Sequence, residues 1–163
     1  MIGVPDAIRE VGGANKGQIV EMFQKAVDGV AAGEPWCAAF TGFVIKTVDA
    51  TMKAIEIDQD STALALSEHV MTLWNKAPEA AKSKTPEPGC LVCWQLYKDG
   101  KPTGSGHIGI VVKVVDSQKI ETIEGNTNDG KGVERDGVGV YKRVRDIAGA
   151  GSMKVVGFLK PWC

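Results

Sequence analysis

The sequence predicts an α+β domain in which helices come first and a mostly antiparallel sheet follows. In the first half, apolar residues recur at helical spacing, most clearly over 19–30 and 36–47. Two prolines in the stretch 84–89 then end the helical pattern. After this stretch, short runs rich in β-branched and aromatic residues alternate with turns that contain Gly, Asn or Asp. We therefore expect a layer of helices packed on a sheet.

The helical part is predicted to contain four segments: 5–11, ended by two glycines; 19–30; a helix that begins at Cys37; and 61–76. The polar stretch 52–60 is expected to be a connection with its charged side chains in water. Leu66, Val70, Leu73 and Trp74 form the apolar stripe of the last helix. His69 lies in this helix beside Glu68, and we expect it at the surface rather than in a site.

The second part is predicted to form five strands: 91–97, 107–115, 119–124, 138–144 and 154–160. The sequence shows no internal repeat and no long linker. With a length of 163 residues, the chain 1–163 fits one domain with a core of its own.

Composition excludes several classes of function. Hydrophobic residues make up 44% and charged residues 24% of the chain, as in ordinary globular domains. The net charge of −1, with no cluster of basic residues, argues against nucleic acid as a partner. No apolar run approaches the roughly 20 residues of a membrane span. The N-terminus lacks the basic and apolar regions of a secretory signal, so we expect synthesis in the cytoplasm without a signal peptide.

Four cysteines, at positions 37, 90, 93 and 163, raise the question of a disulfide or a zinc site. Cys90 immediately precedes the predicted strand 91–97 and Cys93 lies within it; three steps along a strand span about 10 Å, more than a disulfide permits. Zinc would need a second ligand pair at similar spacing, and the sequence has none. We therefore expect neither a metal nor a cofactor.

Cys37 is the first candidate for chemistry. It follows a loop that contains Gly33 and Pro35 and stands in the first turn of a predicted buried helix. Unpaired backbone N–H groups and the helix dipole at this end favour a thiolate over a thiol. The alternative is that Cys37 is a small buried hydrophobe, as most free cysteines are.

His107 and Glu124 are the next candidates. His107 begins one predicted strand, and the following strand carries Glu124 and Asn126 on one face. If the turn between these strands has an even number of residues, all three side chains share a face. A two-residue turn at 116–117 would place His107 opposite Asn126 and diagonal to Glu124, whereas an odd turn would separate them.

Together these residues match the inventory of a cysteine hydrolase. Cys37 would attack a carbonyl, His107 would transfer the proton, and Glu124 would hold the imidazole. Taken separately, each residue also has a structural explanation: His107 ends a strand, and Glu124 and Asn126 belong to a turn. The combination with a cysteine at a helix start favours the catalytic interpretation.

Three motifs in this order and spacing resemble the cysteine, histidine-dependent amidohydrolase/peptidase (CHAP) domain: Pro35-Trp36-Cys37-Ala38-Ala39-Phe40, Gly106-His107-Ile108-Gly109-Ile110-Val111 and Ile123-Glu124-Gly125-Asn126. Asn15-Lys16-Gly17 and the closing 157–161 segment are also similar. The resemblance implies a papain-like or NlpC-like fold and cleavage of amide bonds in bacterial peptidoglycan, as in phage endolysins. It carries over Cys37 as nucleophile, His107 as base, Glu124 as third member and Asn126 as a supporting polar residue.

The chain departs from the family pattern in two places. Cys90 follows Pro88-Gly89 where the family usually has Asp, and 12–16 lacks the aspartates of a calcium loop, so calcium is not expected. The resemblance leaves open which bond is cut: the muramoyl–alanine amide or a peptide bond. The predicted loops 98–106 and 127–137 are expected to line the pocket and set that choice.

The resemblance also leaves the physiological setting open. A monomer made in the cytoplasm would act in the periplasm or cell wall, after release through a holin or delivery into a rival cell with an immunity partner. Two other functions share the fold or the site: a non-catalytic wall-binding module, and a cysteine acyltransferase that differs only in its acceptor.

Overall fold

The computed structural model of the protein describes residues 8–58, 64–128 and 137–162. The helices are α1 (Gln18–Asp28), α2 (Cys37–Ala54) and α3 (Val70–Lys76), followed by a single 3-10 turn (Glu79–Ala81). The strands are β1 (Lys82–Ser83), β2 (Leu91–Lys98), β3 (Lys101–Val114), β4 (Lys119–Thr127), β5 (Gly139–Asp146), β6 (Gly149–Ala150) and β7 (Met153–Leu159).

The strands form one sheet in the order β1-β7-β2-β3-β4-β5, with β6 paired to β7. Every strand pairing in the described part of the chain is antiparallel. The predicted α+β class, with helices before a mostly antiparallel sheet, is therefore confirmed.

Helices α1 and α2 form where the periodicity predicts them. In α1, Val20 and Phe23 are buried, and the helix ends at Gly29, whose φ of 90° gives the left-handed C-terminal cap. Helix α2 begins at Cys37 as predicted but continues to Ala54, so the first residues of the predicted polar connection are helical. The helix thus extends three residues, less than one turn, into that stretch.

The first predicted helix is wrong in the described residues 8–11, and residues 5–7 lie outside them. Arg9 forms a β-bridge with Gly139, and the Val140 N–H donates to the Ile8 carbonyl at 3.0 Å. The edge strand β5 offers unpaired backbone groups there, and pairing with them replaces the helical hydrogen bonds of a short segment.

The fourth predicted helix is wrong at its beginning. Residues 61–63 of the prediction lie outside the described residues, and α3 begins only at Val70. Before it, the Ser67 hydroxyl accepts a hydrogen bond from the His69 N–H at 3.1 Å, a local bond that competes with helix formation. His69 is exposed at the start of α3, as the sequence predicted.

The segment 98–106 is a β-hairpin and not the predicted loop. Lys98 lies opposite Lys101, so only Asp99 and Gly100 form the turn, with φ angles of 52° and 75°. An Asp-Gly pair with two positive φ angles is the type I′ turn that suits the twist of adjacent strands. Strand β3 consequently begins six residues before its predicted start.

Strand β2 lies between β3 and β7 and is buried on both faces. Leu91 and Cys93 pack with α2 and α3, whereas Val92 and Trp94 pack with Phe158 on the other face. Among the described residues, no helix is both long enough and apolar enough to span a bilayer.

Candidate active site

Cys37 is the first residue of α2, and the loop before it is held by side chains of the preceding segments. The Asn15 side chain donates to the Gly33 carbonyl at 3.0 Å, and Gln24 donates to the Glu34 carbonyl at 2.8 Å. Gln24 is fully buried in α1. These two bonds fix the backbone three residues ahead of Cys37, so the start of the helix has a defined position.

Trp36 anchors the same point from the other side. Its ring is fully buried and stacks on Phe23 with 5.8 Å between centroids, and its indole N–H donates to Glu10 at 2.9 Å. A buried indole needs such an acceptor. The position of the Cys37 backbone is therefore set by packing as well as by hydrogen bonds.

His107 lies on β3, and its ring bridges two predicted site residues. Nε2 lies 2.8 Å from Oε2 of Glu124, and Cys37 lies close enough to the ring to raise its pKa. Since Nε2 faces the carboxylate, Nδ1 is the nitrogen left for the sulfur. The ring stacks on Trp94, with 5.6 Å between centroids and 24° between planes, which fixes its orientation.

The hairpin that joins β3 and β4 brings His107 and Glu124 onto one face of the sheet by combining an odd turn with a β-bulge. Val114 lies opposite Ile120, so the turn has an odd number of residues. An odd turn alone would put His107 and Glu124 on opposite faces. A β-bulge at Val112 adds one residue to β3 and restores the register, so that Ile110 lies opposite Ile123.

Two glycines in the motifs make room for the site. A Cβ atom on Gly109 would lie 2.6 Å from Cγ of Glu124, so the missing side chain lets Glu124 cross β3 toward His107. A Cβ atom on Gly125 would lie 2.6 Å from Cβ of Phe40, so this glycine lets the first turn of α2 approach β4. Both contacts bring Cys37 and the His107–Glu124 pair together.

Glu124 is fully buried, and its carboxylate is hydrogen bonded to Thr122 on its own strand and to His107 and Arg145 on the two neighbouring strands. Oε1 accepts from the Thr122 hydroxyl at 2.6 Å and from Nε of Arg145 at 2.8 Å. Oε2 accepts from Nη2 of Arg145 at 2.6 Å and contacts His107. The carboxylate therefore forms a two-pronged ion pair with Arg145, the geometry that suits guanidinium best.

Positive and negative charges alternate along Arg145, Glu124 and His107. Burial alone would raise the pKa of Glu124, but hydrogen bonds from Arg145 and His107 hold that pKa well below its usual range. Burial alone would lower the pKa of His107, but hydrogen bonds with Cys37 and Glu124 raise it to about 10. At neutral pH the site thus holds an imidazolium between the sulfur and a carboxylate.

Asn126 is hydrogen bonded to Gly137 and Trp36 and not to His107 or Glu124. In the amide orientation that satisfies both ends, Nδ2 donates to the Gly137 carbonyl at 2.7 Å and Oδ1 accepts from the Trp36 N–H at 3.2 Å. The β4–β5 register shifts after Glu124, and Asn126 has a φ of 52°. The Asn126 side chain therefore does not follow the regular alternation of side chains between the two faces of β4. Asn126 thus joins β4 to the residue before Cys37.

Sequence reasoning missed three residues around the site: Thr122, Arg145 and Trp94. Thr122 had a signal, since it precedes Glu124 by two residues on the same face. Arg145 had none in its local sequence, because its meeting with Glu124 depends on the register between β4 and β5. Trp94, opposite His107 in the ladder, depends likewise on a long-range pairing.

The other cysteines of the described residues lie in the core. Cys93 is a free thiol that packs with α2 and α3, while Cys90 packs on the opposite face with Val92. Cys90, at the position where the family pattern has Asp, is thus part of an apolar cluster. In the described part of the chain, no three His, Cys, Asp or Glu side chains are placed to hold a metal ion.

Comparison with known proteins identifies a family. The family model described as CHAP domain matches residues 29–126, more than half of the chain. The matched region runs from the end of α1 to Asn126 and includes Cys37, His107 and Glu124. No curated protein and no solved structure matches the chain.

Proposed function

Because this chain belongs to the CHAP domain family, we propose that it hydrolyses an amide bond of bacterial peptidoglycan, with Cys37 as the nucleophile. The family points to hydrolases of the peptidoglycan amidase type. One observation carries the proposal for this chain: Nε2 of His107 lies 2.8 Å from Oε2 of Glu124, while Cys37 lies close enough to the same ring to raise its pKa.

The mechanism follows from this chain of contacts. The Cys37 thiolate attacks the carbonyl carbon, and the developing oxyanion is stabilised by the Cys37 N–H, which has no acceptor within its own helix. The His107 imidazolium then gives its proton to the departing amine, and the C–N bond breaks to leave a thioester. Water, deprotonated by His107, attacks the thioester and releases the acid.

Glu124 supports both half-reactions without reacting itself. Its carboxylate faces Nε2 of His107, which keeps Nδ1 directed at the sulfur and stabilises the positive ring. The fully buried environment strengthens this interaction, because little water screens the charges.

The proposed site of action is the periplasm or cell wall, where peptidoglycan lies. The bond remains one of two classes: the amide between muramic acid and alanine, or a peptide bond of the stem or cross-bridge. The catalytic groups are the same for both.

Digestion of purified peptidoglycan tests the proposal. Wild type is expected to release soluble fragments, whose masses show either intact stem peptides or shortened ones. C37A and H107A should release none while their melting temperatures stay close to wild type, since Glu124 keeps its ion pair with Arg145 in both variants. Normal turnover by either variant would contradict the mechanism, and no release by wild type would favour the wall-binding alternative.

A further inference from the structure

Arg145 donates two hydrogen bonds to the Glu124 carboxylate. Its Nε and Nη2 atoms lie 2.8 Å and 2.6 Å from the two carboxylate oxygens, so the guanidinium clamps both. One of those oxygens, Oε2, is the atom that contacts His107. A rotation of the Glu124 carboxylate away from the imidazole would therefore break the ion pair with Arg145.

Burial makes this clamp necessary. Glu124 is completely buried, and the side chains of His107 and Arg145 are only 13% and 10% exposed. A carboxylate without water is stable only next to cations and donors; otherwise it takes up a proton. A protonated Glu124 would lose the negative charge that stabilises the imidazolium.

The Trp94 ring packs against both Arg145 and His107. The Arg145 guanidinium lies 5.7 Å from the centre of the Trp94 ring, and Trp94 also stacks on His107. One aromatic side chain thus contacts the groups on both sides of Glu124. Its position couples the orientation of the guanidinium to that of the imidazole.

We infer that Arg145 is a positioning residue of the hydrolase, which keeps Glu124 ionised and holds its Oε2 against Nε2 of His107. The inference deepens the proposed function and rests on it. Arg145 acts through Glu124, so its loss should affect the rate and its pH dependence rather than the binding of substrate.

The test compares R145Q and R145K with K142Q. Lys142 lies on the same strand, is 47% exposed and pairs with Glu121, so K142Q removes a cation of β5 without touching Glu124. We expect R145Q to lose about 10- to 100-fold in kcat with little change in KM, the usual cost of removing a supporting partner. R145K keeps the charge but not the two-pronged contact, so its kcat should fall less.

The pH profile separates positioning from a merely structural role. Without Arg145, Glu124 takes up a proton at higher pH, so the acidic limb of kcat/KM should move to higher pH in R145Q and stay in place in K142Q. The alkylation of Cys37 by iodoacetamide should show the same displacement, and it needs no peptidoglycan. Failure of wild type to cleave peptidoglycan would therefore refute the proposed function while leaving this measurement intact.

A double variant completes the test and avoids a lone buried charge. E124Q/R145Q replaces the ion pair by two neutral amides, and it should turn over at the rate of E124Q, because Arg145 has no role once the carboxylate is gone. A double variant slower than E124Q by the full R145Q factor would overturn the inference. So would an acidic limb in R145Q that coincides with wild type in both assays.

Discussion

Glu124 and Glu68 are two carboxyl groups in opposite electrostatic surroundings: Glu124 is fully buried beside cations, whereas Glu68 is partly buried beside another carboxyl group. Glu124 lies between His107 and Arg145, and its pKa stays well below the usual range. Glu68 faces Glu34, and burial together with the hydrogen bond and negative charge of Glu34 raises the pKa of Glu68 to about 7. A glutamate side chain is thus ionised at neutral pH at position 124, whereas at position 68 it retains its proton up to about pH 7.

The oxygen atoms of the acidic pair show the difference directly. Among the described residues, Oε2 of Glu34 and Oε1 of Glu68 are buried and have no donor nearby. A proton retained on Glu68 and donated to Glu34 joins the two groups, and the charge of Asp28 adds to the repulsion when that proton leaves. Cations and donors placed by the sheet, rather than burial itself, make Glu124 suitable for catalysis.

The largest expected effect comes from neutralising Glu124. E124Q keeps the shape but removes the charge that supports the imidazolium, and we expect a loss of about 10⁴-fold in kcat, as in other triads. The ion pair with Arg145 would also be lost from a buried position, so we expect a lower free energy of unfolding. Steady-state kinetics and denaturant unfolding measure the two effects.

E121Q is the matched control for that substitution. Glu121 is on the same strand, but its partner Lys142 is half exposed, and such surface pairs contribute about 0–1 kcal/mol. We expect E121Q to keep wild-type turnover. Equal losses of turnover in E124Q and E121Q would show that β4 tolerates no change of charge. The loss in E124Q would then be no evidence that Glu124 supports catalysis.

A smaller effect is expected when Glu124 is displaced rather than neutralised. In G109A the new Cβ would meet Cγ of Glu124 at 2.6 Å, so the carboxylate has to move from His107. Overpacking of this kind costs about 1–3 kcal/mol of stability, and turnover should fall with it. In contrast, a Cβ on Gly42 of α2 meets its nearest neighbour at 3.4 Å, so G42A should retain activity. Retention of full activity by G109A would argue against a fixed Glu124.

The smallest effect concerns the acidic pair. Because the pKa of Glu68 is about 7 in the folded chain and 4.5 ordinarily, the folded state binds the extra proton between these values. Stability from this group is therefore present below pH 4.5 and is lost as the pH rises to about 7. E68Q should reduce that loss, so its melting temperature should exceed that of wild type at pH 8.

E79Q is the control for the acidic pair, since Glu79 is 88% exposed and pairs with Lys82 at the surface. We expect its melting temperature to follow the wild-type pH dependence. A pH dependence in E68Q as steep as that of wild type would show that Glu68 does not retain its proton in the folded chain.

Local sequence signals predicted the parts of the site that depend on one element. Cys37 was found because Gly33 and Pro35 precede an apolar periodic segment, and His107 because it stands at the start of a run of strand-forming residues, although β3 itself begins at Lys101. The type I′ turn at Asp99–Gly100 also had a local signal, although the sequence analysis treated that region as a loop.

Features that depend on pairing between elements could not be predicted in this way. The β-bulge at Val112 compensates for the odd number of residues in the turn between β3 and β4, and nothing in its local sequence predicts it. The ion pair between Glu124 and Arg145 requires the register of β4 against β5, which the connection between them leaves undetermined. The extended segment at Arg9 likewise results from pairing with Gly139, a partner 130 positions later in the chain.

The charge state of His107 is the most direct test of the account. The chain has two histidines, so H69Q leaves a single imidazole whose NMR signals can be followed against pH. We expect the His107 ring to stay protonated through neutral pH and to lose its proton near pH 10, because the Cys37 sulfur and Glu124 stabilise the protonated form. A ring that titrates near the ordinary value of 6.5 would contradict it.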